Sequence, residues 1–408
     1  MKIRNLLFGI ILIFSFSSCS SVNTSNEKVK NDIYVAAYFW PAMHDESRSR
    51  EVIWDKGIGE WEIIQRGNPR FEGHYQPRIP MWGYEMDNEP AALEKKVDAA
   101  ADHGVNVFIF DWYWYDGKPF LEESLNSFLT TSNKDRIQFY LMWANHDVEG
   151  ERWNRYLYEE DTVIWKGGVD RTQFDIVVDR VINNYFKQPN YFKINGEPVF
   201  SFYDTNELIK GLGGYEATKQ ALEYFRQQVI KAGFPGLHIQ VIGYGRNTEP
   251  YLASQELCGG KSINEIVADF KINSVTQYNW VLGTVVKEDY IDWAERANML
   301  MAKWDSMLEI PFVPHVSIGW DSSPRFSFKK KADIIHLNRT PYSFGAYLQR
   351  AKDHIETHPD QPRLITVNSW NEWTEGSYLE PDTQWGYGYL EAVKDVMNGK
   401  YDKYQLAK

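Results

Sequence analysis

The sequence predicts a single (β/α)8 barrel, and three observations lead to that fold class. Eight short apolar runs of strand character alternate along the chain with longer amphipathic stretches, which is the pattern of parallel βαβ units. A chain of 408 residues is long enough for one such barrel with insertions. Its middle has no Pro/Gly/Ser-rich linker and no internal repeat, so one domain is a simpler interpretation than two or three.

Each predicted strand is a run of apolar, β-branched or aromatic residues. The eight runs occupy residues 34–39, 105–110, 139–143, 199–203, 238–242, 274–278, 312–316 and 364–368. Apolar residues recur at helical spacing between them, at residues 90–103, 172–184, 215–232, 290–307 and 344–358. Eight strands with intervening helices favour a closed barrel over an open sheet, and a barrel places its functional site at the carboxyl ends of its strands.

The first 32 residues have the features of an export signal followed by a tether. Residues 1–18 combine a charged start, an apolar run at 6–16 and small residues before Cys19, which resembles a bacterial lipobox. We expect cleavage before Cys19 and lipidation of its thiol, because about 11 apolar residues are too few to span a bilayer. Residues 19–32 are polar and lack periodicity, so they predict a flexible tether before a domain at 33–400. The sequence therefore predicts a lipid-anchored protein of the bacterial cell envelope.

Composition narrows the possible partners. Loss of Lys2 and Arg4 with the signal would reduce 44 basic residues to 42 against 56 acidic ones, so the formal net charge would change from −12 to −14. That balance disfavours nucleic acid and anionic lipid headgroups and suits a neutral polymer. The 16 Trp and 25 Tyr are an excess that indicates either a carbohydrate-binding surface or an aromatic-rich core. Cys258 would be the one cysteine left beside Cys19, so we expect no intramolecular disulfide.

Two carboxylates follow the last predicted strand. Glu372 and Glu375 are three residues apart, so they can project toward one side of a turn, among Trp370, Trp373 and Tyr378. Two carboxylates on either side of one bond are the apparatus of glycoside cleavage. A pair of solvated surface glutamates is the alternative, but three aromatic residues would be unusual on such a face. The pair is therefore the predicted catalytic site.

Aromatic and polar residues recur at nearly every predicted strand end, which is where a barrel forms its site. The candidate substrate-binding residues there are Trp40, Asp111, Trp112, Trp114, Trp143, Asn145, His146, Tyr203, Tyr244, Trp320, Asp321, Trp370, Asn371 and Tyr378. Residues 41–88 lack strong periodicity and are predicted to form a long loop that covers the barrel mouth, adding Glu60, His74 and Tyr75. We expect Asp111 and Asp321 to point toward the same cavity, with loop capping as the alternative for both.

Several motifs carry a family resemblance that extends from about residue 33 to 392. They are Asn-Glu-Trp-Thr-Glu-Gly at 371–376 with Leu-Glu-Pro at 379–381, Gly-x-x-Glu-Trp at 57–61, Gly-His-Tyr-Gln-Pro at 73–77, the aromatic run at 110–117, Trp-Ala-Asn at 143–145, and the segments 319–325 and 386–390. Together they resemble the WbsX-like proteins, which are related to the family 99 glycoside hydrolases (endo-mannosidases and endo-mannanases).

That resemblance implies a mechanism and a substrate class. Glu375 would match the general acid/base of the family 99 hydrolases. Glu372 would match the residue that assists attack by the substrate's own 2-hydroxyl, giving net retention through an anhydro-sugar. Thr374 stands where those hydrolases typically carry His, so the leaving-side subsite and the substrate can differ. Endo action on α-linked, mannose-configured glycans is the expectation that follows.

Other chemistries fit the sequence less well. His354 and His358 are four residues apart but lack the His-Glu-x-x-His order of a zinc protease, so we expect surface histidines and no metal or cofactor. The glycines at 57, 59, 243 and 245 lack dinucleotide-loop spacing, and no P-loop occurs. A hydrolase, expected as a monomer, is therefore favoured. A non-catalytic glycan-binding lipoprotein and a WbsX-type glycosyltransferase are the alternatives.

Overall fold

The structure, a computed structural model, describes residues 33–404 apart from 155, 159, 161, 247–248, 285–288 and 327–336. Residues Ile33–Lys408 make up one compact unit. The predicted signal at 1–18, the tether at 19–32 and the lipidation site Cys19 lie outside the described residues.

Eight parallel strands form a nearly closed barrel, as the sequence predicted. In chain order, β1 to β8 are Tyr34–Phe39, Val107–Tyr115, Gln138–Trp143, Glu197–Phe202, His238–Ile242, Ser274–Thr276, His315–Ser317 and Leu364–Asn368. Each of β1 to β5 pairs with the next strand along the chain, β7 pairs with β8, and β8 returns to β1 with Tyr34 opposite Leu364. Val275 of β6 and Phe312, just before β7, form a parallel bridge at the remaining seam.

The described residues form twelve α-helices. In chain order, α1 to α12 are Ser47–Val52, Trp61–Ile64, Pro90–Asp102, Glu123–Phe128, Gly150–Trp153, Arg171–Val181, Thr205–Gly211, Tyr215–Lys231, Ile263–Phe270, Tyr290–Met307, Pro341–Thr357 and Gly388–Met397. Every barrel strand is followed by at least one of them, which is the (β/α)8 arrangement. Residues 41–88, between β1 and α3, contain α1 and α2. Among the residues that the structure describes, no helix is long and apolar enough to cross a membrane.

The helix starts follow directly from local sequence. Thr340 caps α11, because its hydroxyl accepts from the Ser343 amide at 3.1 Å while the Ser343 hydroxyl accepts from the Thr340 amide at 3.0 Å. Pro341 occupies the first turn, where its missing N–H costs nothing. This cap starts α11 three residues before the predicted position at 344. Asp289 caps α10 by accepting from the Ile291 amide at 2.8 Å.

Strand β2 differs from its prediction in a way that matters for the site. The sequence indicated an end at residue 110, whereas the strand continues to Tyr115 and then pairs in a hairpin with Lys118–Phe120. Residues 111–115 therefore alternate between the two faces of the sheet instead of forming a loop. Asp111 and Tyr113 share one face, and Trp112 and Trp114 share the other.

The aromatic side chains fall into two groups, one in the core and one at a cavity. Eight tryptophans pack in the core and are each no more than 2% exposed: Trp54, Trp61, Trp112, Trp143, Trp293, Trp304, Trp370 and Trp373. Other aromatic residues, described below, line a cavity at the carboxyl ends of the strands.

Candidate active site

A cavity of about 380 Å³ opens at the carboxyl ends of the barrel strands. It has the size of a small-molecule or glycan subsite. Its acidic lining is Glu60, Asp111, Glu372 and Glu375, and its basic lining is Arg152 and Arg325. The ring-bearing lining residues are Trp40, Tyr113, His146, Trp153, Tyr203, Tyr278 and Trp320. Rings that surround carboxylates suit a sugar, whose apolar face stacks on a ring while its hydroxyls bind the acids.

A tight hairpin after β8 presents the two glutamates. Asn371–Glu372 pairs antiparallel with Ser377–Tyr378, and a 3-10 turn at Trp373–Glu375 connects the two short strands. Gly376 ends the turn in the left-handed region with φ of 65°. A Cβ at this position would lie 2.1 Å from Arg78 Nη1, so the site needs glycine for space as well as for conformation.

One guanidinium bridges both carboxylates. Arg325 Nη1 donates to Glu375 Oε1 at 2.9 Å, and its Nη2 lies 3.2 Å from Glu372 Oε1. The same Nη2 is 3.7 Å from Glu60 Oε1. Burial alone would lower the pKa of Arg325, but Glu375, Glu60 and Glu372 raise it, so the guanidinium stays charged. Glu372 and Glu375 are therefore close neighbours that share one counter-charge.

The carboxyl groups of the pair hold protons more tightly than free glutamates do. Burial raises the pKa of Glu372 well above its ordinary value, and the charges of Glu375 and Glu60 add to the effect. Burial also raises the pKa of Glu375, while Arg325 opposes that rise. Two carboxyl groups that repel each other this closely titrate as a pair, so one tends to be protonated while the other is ionised.

Tyr278 connects Glu372 to a third buried acid. Its hydroxyl lies 2.9 Å from Asp111 Oδ2 and 3.0 Å from Glu372 Oε2. The Tyr278 hydroxyl has one proton and can donate it to only one of these two carboxylate oxygens. If Asp111 were ionised, the other oxygen would therefore lack a donor from Tyr278. Burial raises the pKa of Asp111 well above its ordinary value. A protonated Asp111 donating to Tyr278, which in turn donates to Glu372, satisfies all three groups.

Glu60 is the cavity residue supplied by the segment 41–88. Trp40 Nε1 donates to its Oε2 at 2.6 Å, and the Thr374 hydroxyl donates to its Oε1 at 3.0 Å. Arg325 Nη2 in turn donates to the Thr374 hydroxyl at 3.0 Å. Thr374 therefore connects Glu60 to the guanidinium that holds the glutamate pair.

A buried ionic cluster supports the hairpin from behind. Lys96 of α3 pairs with both Asp87 and Glu380. Glu380 accepts from the indole N–H of Trp370 at 3.0 Å and of Trp373 at 2.7 Å. The side chains on either side of Glu372 are fixed in this way, which limits how far the carboxylate can move.

Asp321 does not line the cavity, so the prediction that it points there with Asp111 is wrong. Its Oδ2 accepts from Arg78 at 2.6 Å, from Gln76 at 2.8 Å and from His74 at 3.0 Å, and its Oδ1 accepts from the Ser323 amide. Burial alone would raise the pKa of Asp321, but Arg78 and His74 hold it well below its usual range. The Asp321 amide donates to the Glu375 carbonyl at 2.6 Å, so this cluster anchors the turn.

Ten further predicted contact residues also lie outside the cavity lining: His74, Tyr75, Trp112, Trp114, Trp143, Asn145, Tyr244, Trp370, Asn371 and Tyr378. The Tyr75 hydroxyl lies 2.7 Å from that of Thr383. Several are turned toward supporting partners: the Trp112 indole donates to Glu122 and the Trp114 indole to Gln173. Asn371 exchanges hydrogen bonds with the Trp40 backbone at 2.8 Å. Strand alternation explains Trp112 and Trp114, since their neighbours Asp111 and Tyr113 take the inner face.

Six predicted contact residues do line the cavity with the glutamate pair: Trp40, Glu60, Asp111, His146, Tyr203 and Trp320. The sequence analysis missed Tyr113, Tyr278 and Arg325. Strict alternation from Asp111 could have found Tyr113, and the segment 319–325 could have drawn attention to Arg325, which ends it. Nothing local indicated that Arg325 would reach the glutamates.

Fold and cavity together define a class, the (β/α)8 proteins with a carboxylate pair at the end of the eighth strand. The family model described as "Glycosyltransferase WbsX" matches residues 35–393, so the chain belongs to this family. The resemblance predicted from the motifs is confirmed.

The chain is also similar to curated relatives and to solved structures. Uncharacterized protein WxcX of Xanthomonas campestris pv. campestris is 25% identical over 371 residues, which are 89% of this chain and 49% of that protein. The chain thus spans about half the length of the curated relatives it matches. The GH99 endo-alpha-mannosidase of Bacteroides thetaiotaomicron has a TM-score of 0.58 at 12% identity, covering 90% of this chain and 96% of that one. A glycoside hydrolase-like protein has a TM-score of 0.53 at 13% identity, covering 98% of both chains. These two similarities show a shared fold.

Proposed function

We propose that this protein is a glycoside hydrolase that cleaves an α-linked glycan with Glu372 and Glu375. The observation that carries the proposal is that both carboxylates line one ring-rich cavity and contact the same Arg325 guanidinium. Glycosidases place a protonated carboxyl near the leaving oxygen and an ionised one near the anomeric centre. The raised pKa values of a coupled pair supply both states at neutral pH.

The hydrogen bonds support one division of roles between the two glutamates. Both oxygens of Glu372 lie next to donors, Arg325 at Oε1 and Tyr278 at Oε2, an arrangement that favours the ionised form. Glu375 has Arg325 at Oε1, whereas its buried Oε2 has no hydrogen-bond partner among the described residues. A proton on Oε2 would be presented to the substrate. In this proposal Glu375 is the general acid and Glu372 the general base. Burial and neighbouring charges raise the pKa of Glu372 and oppose its ionisation, so its role as base depends on the donors Arg325 and Tyr278.

The reaction then proceeds in two balanced steps. Glu375 gives its proton to the glycosidic oxygen as the bond from that oxygen to C1 breaks, and the sugar's 2-hydroxyl oxygen bonds to C1 while its proton moves to Glu372. In the second step the carboxylate of Glu375 takes a proton from water, whose oxygen bonds to C1 and opens the anhydro ring. Glu372 returns its proton to O2. Two displacements at C1 give net retention.

Electrostatics favours hydrolysis over transfer from a nucleotide sugar, although the family carries a glycosyltransferase name. A diphosphate entering this cavity would meet four acidic side chains, of which the ionised ones repel it, and Arg325 is already engaged by Glu372 and Glu375. Of the second basic lining residue, Arg152, about 64% of the side chain is exposed, and it pairs with Glu149. A neutral glycan encounters no such repulsion.

The proposed substrate is an α-linked, mannose-configured polysaccharide or glycan cleaved internally. The similar Bacteroides thetaiotaomicron protein is a GH99 endo-alpha-mannosidase, and a cleft open at the barrel mouth suits an internal chain segment. Thr374 departs from the family 99 pattern beside the acid, so the sugar on the leaving side is expected to differ from that of the family 99 enzymes.

Incubation of the purified protein with a panel of α-linked bacterial and yeast polysaccharides tests the proposal. We expect new reducing ends and oligosaccharide products with at least one of them. Glu372→Gln and Glu375→Gln should each lower hydrolysis by about 10²–10⁴-fold while the fold and much of the glycan binding persist. Glu391→Gln, an exposed glutamate on α12, is the matched control and should leave the rate unchanged.

Two other results would point to the alternative functions. Glycan binding without any product, unaffected by either glutamate substitution, would identify a binding protein. Product formation that requires an added nucleotide sugar would identify a transferase.

A further inference from the structure

We infer that Asp305, His354 and His358 form a binding site for one divalent transition-metal ion of the Zn²⁺ type. Asp305 lies near the end of α10, His354 near the end of α11, and His358 directly after α11. One ligand atom from each residue lies within 4.8 Å of the other two. These helix ends lead into the amino ends of barrel strands, so the site lies on the face opposite the carboxylate cavity and is independent of the proposed function.

The hydrogen bonds of His358 orient a free ring nitrogen toward Asp305. Its Nδ1 lies 2.8 Å from the His354 carbonyl oxygen, which can only accept, so Nδ1 carries the proton. In the neutral ring, Nε2 then has a lone pair, and it lies 3.4 Å from Asp305 Oδ2. Two electron-rich atoms at this separation can be bridged by a cation, either a proton or a metal ion. A backbone carbonyl that fixes the tautomer of a histidine in this way is typical of metal ligands.

His354 supplies the second nitrogen. Its Nε2 is buried, has no hydrogen-bond partner among the described residues, and lies 3.8 Å from Asp305 Oδ1. The side chain is only 12% exposed, so the sequence prediction of a surface histidine is wrong for His354.

The donor set matches the class of ion. Two imidazole nitrogens and one carboxylate are zinc ligands, and three ligands about 2.0–2.2 Å from one ion lie at separations close to those found here. Gln361 donates to Asp305 Oδ1 at 3.3 Å. The carboxamide thus helps to orient the carboxylate. A bound ion would tie α10 to α11.

The test uses tag-free, full-length protein that has been treated with a chelator and dialysed. Titration calorimetry with ZnCl2 is expected to show one ion per chain, and MgCl2 no binding, because imidazole nitrogens disfavour the harder ion. Asp305→Asn and His354→Gln should each weaken Zn²⁺ binding by at least about tenfold. Zn²⁺ should raise the melting temperature of the wild type, because it binds the folded state, and should not raise that of the two variants.

Asp353→Asn is the matched control, since Asp353 precedes His354 on α11 but is exposed and bonds only outside the cluster, to Gln349. It should bind Zn²⁺ like the wild type. Melting curves of the metal-free variants show whether they fold. Absence of a stoichiometric Zn²⁺ site in the wild type would overturn the inference and leave a histidine–aspartate ion pair. Binding that survives Asp305→Asn but is lost in Glu372→Gln would overturn it too, because the ion would then lie in the cavity.

Discussion

At the residue scale, the main feature of the cavity is its excess of acid over base. Glu60, Asp111, Glu372 and Glu375 line it, and Arg325 is the guanidinium that contacts three of the four. Burial raises the pKa of every one of these acids. The cavity therefore favours the protonated forms of its acids, and a general acid must carry a proton. A cost in stability accompanies this chemistry, since each raised pKa makes folding less favourable as pH rises.

Asp111→Asn should reduce the loss of stability with rising pH. Burial raises the pKa of Asp111 in the folded protein well above its ordinary value. The stability that Asp111 contributes is therefore present below its pKa in the unfolded chain and is lost as pH rises through its pKa in the folded protein. Asn does not titrate, so the variant should gain stability relative to the wild type as pH rises from about 4 to 8. Each pKa unit of the shift corresponds to about 1.4 kcal/mol. Urea unfolding across this pH range measures the difference.

Asp116→Asn is the control for this prediction. Asp116 lies just beyond the same strand, its side chain is 63% exposed, and its φ of 50° is one that Asn tolerates. Its pH profile should follow that of the wild type. If Asp111→Asn also leaves the slope unchanged, Asp111 is ionised in the folded protein and the proposed proton chain through Tyr278 does not exist.

At the element scale, α3 holds the hairpin that carries Glu372 and Glu375 through one buried lysine. Lys96 is 2% exposed and pairs with Asp87 and Glu380, which in turn bind Asn371, Trp370 and Trp373. The carboxylates that this helix neutralises belong to the segments before α3 and after the glutamate pair. Packing of α3 against the barrel therefore also determines where Glu372 and Glu375 stand.

Lys96→Met should lower the free energy of unfolding by about 3–5 kcal/mol, because it leaves two buried carboxylates without their cation. The adjacent Lys95→Met is the matched comparison: Lys95 pairs with Glu85 at the surface, its side chain is 43% exposed, and the expected loss is about 0–1 kcal/mol. Urea denaturation of both variants measures the difference. Equal losses would mean that the buried cluster contributes no more than a surface ion pair.

At the scale of the whole molecule, the barrel brings distant parts of the chain to one place. Glu60, Arg325 and the pair at 372 and 375 follow three different strands, yet they meet because all carboxyl ends of a parallel barrel lie on one face. The Asp305, His354 and His358 cluster uses the same geometry at the opposite face. One fold thus separates a proposed reactive end from a proposed structural metal site.

The location of the protein is also a property of the whole chain. We propose that the envelope anchor is a lipid on Cys19, as the residues before it indicate. Cys19→Ala should shift the protein from the membrane fraction to soluble extracts or leave the precursor uncleaved. Fractionation followed by immunoblotting measures this, with Cys258→Ala as the control because that thiol is buried within the barrel domain. Wild-type protein found soluble after export would contradict the lipid anchor.

The sequence by itself determined the barrel and the position of the glutamate pair. Strands β1, β5 and β8 begin and end where predicted, because an apolar run of strand length with polar residues on both sides is a local signal. Glu372 and Glu375 were recognisable because a short motif contains both of them. The strand ends were informative for another reason: a (β/α)8 topology places the carboxyl ends of all its strands around one mouth.

Only the tertiary structure decided which side chains face the cavity. The sequence predicted Trp112 and Trp114 as contact residues but not Tyr113, because it did not reveal that β2 continues to Tyr115. In a strand, a shift of one residue moves a side chain to the opposite face of the sheet. Asp321 was assigned to the cavity because its partners, His74, Gln76 and Arg78, lie more than 240 residues earlier. Arg325 was missed because its contact with Glu372 and Glu375 forms only when β7 and β8 are neighbours. Pairing across such distances depends on how strands are ordered around the barrel, and no local pattern of residues encodes it.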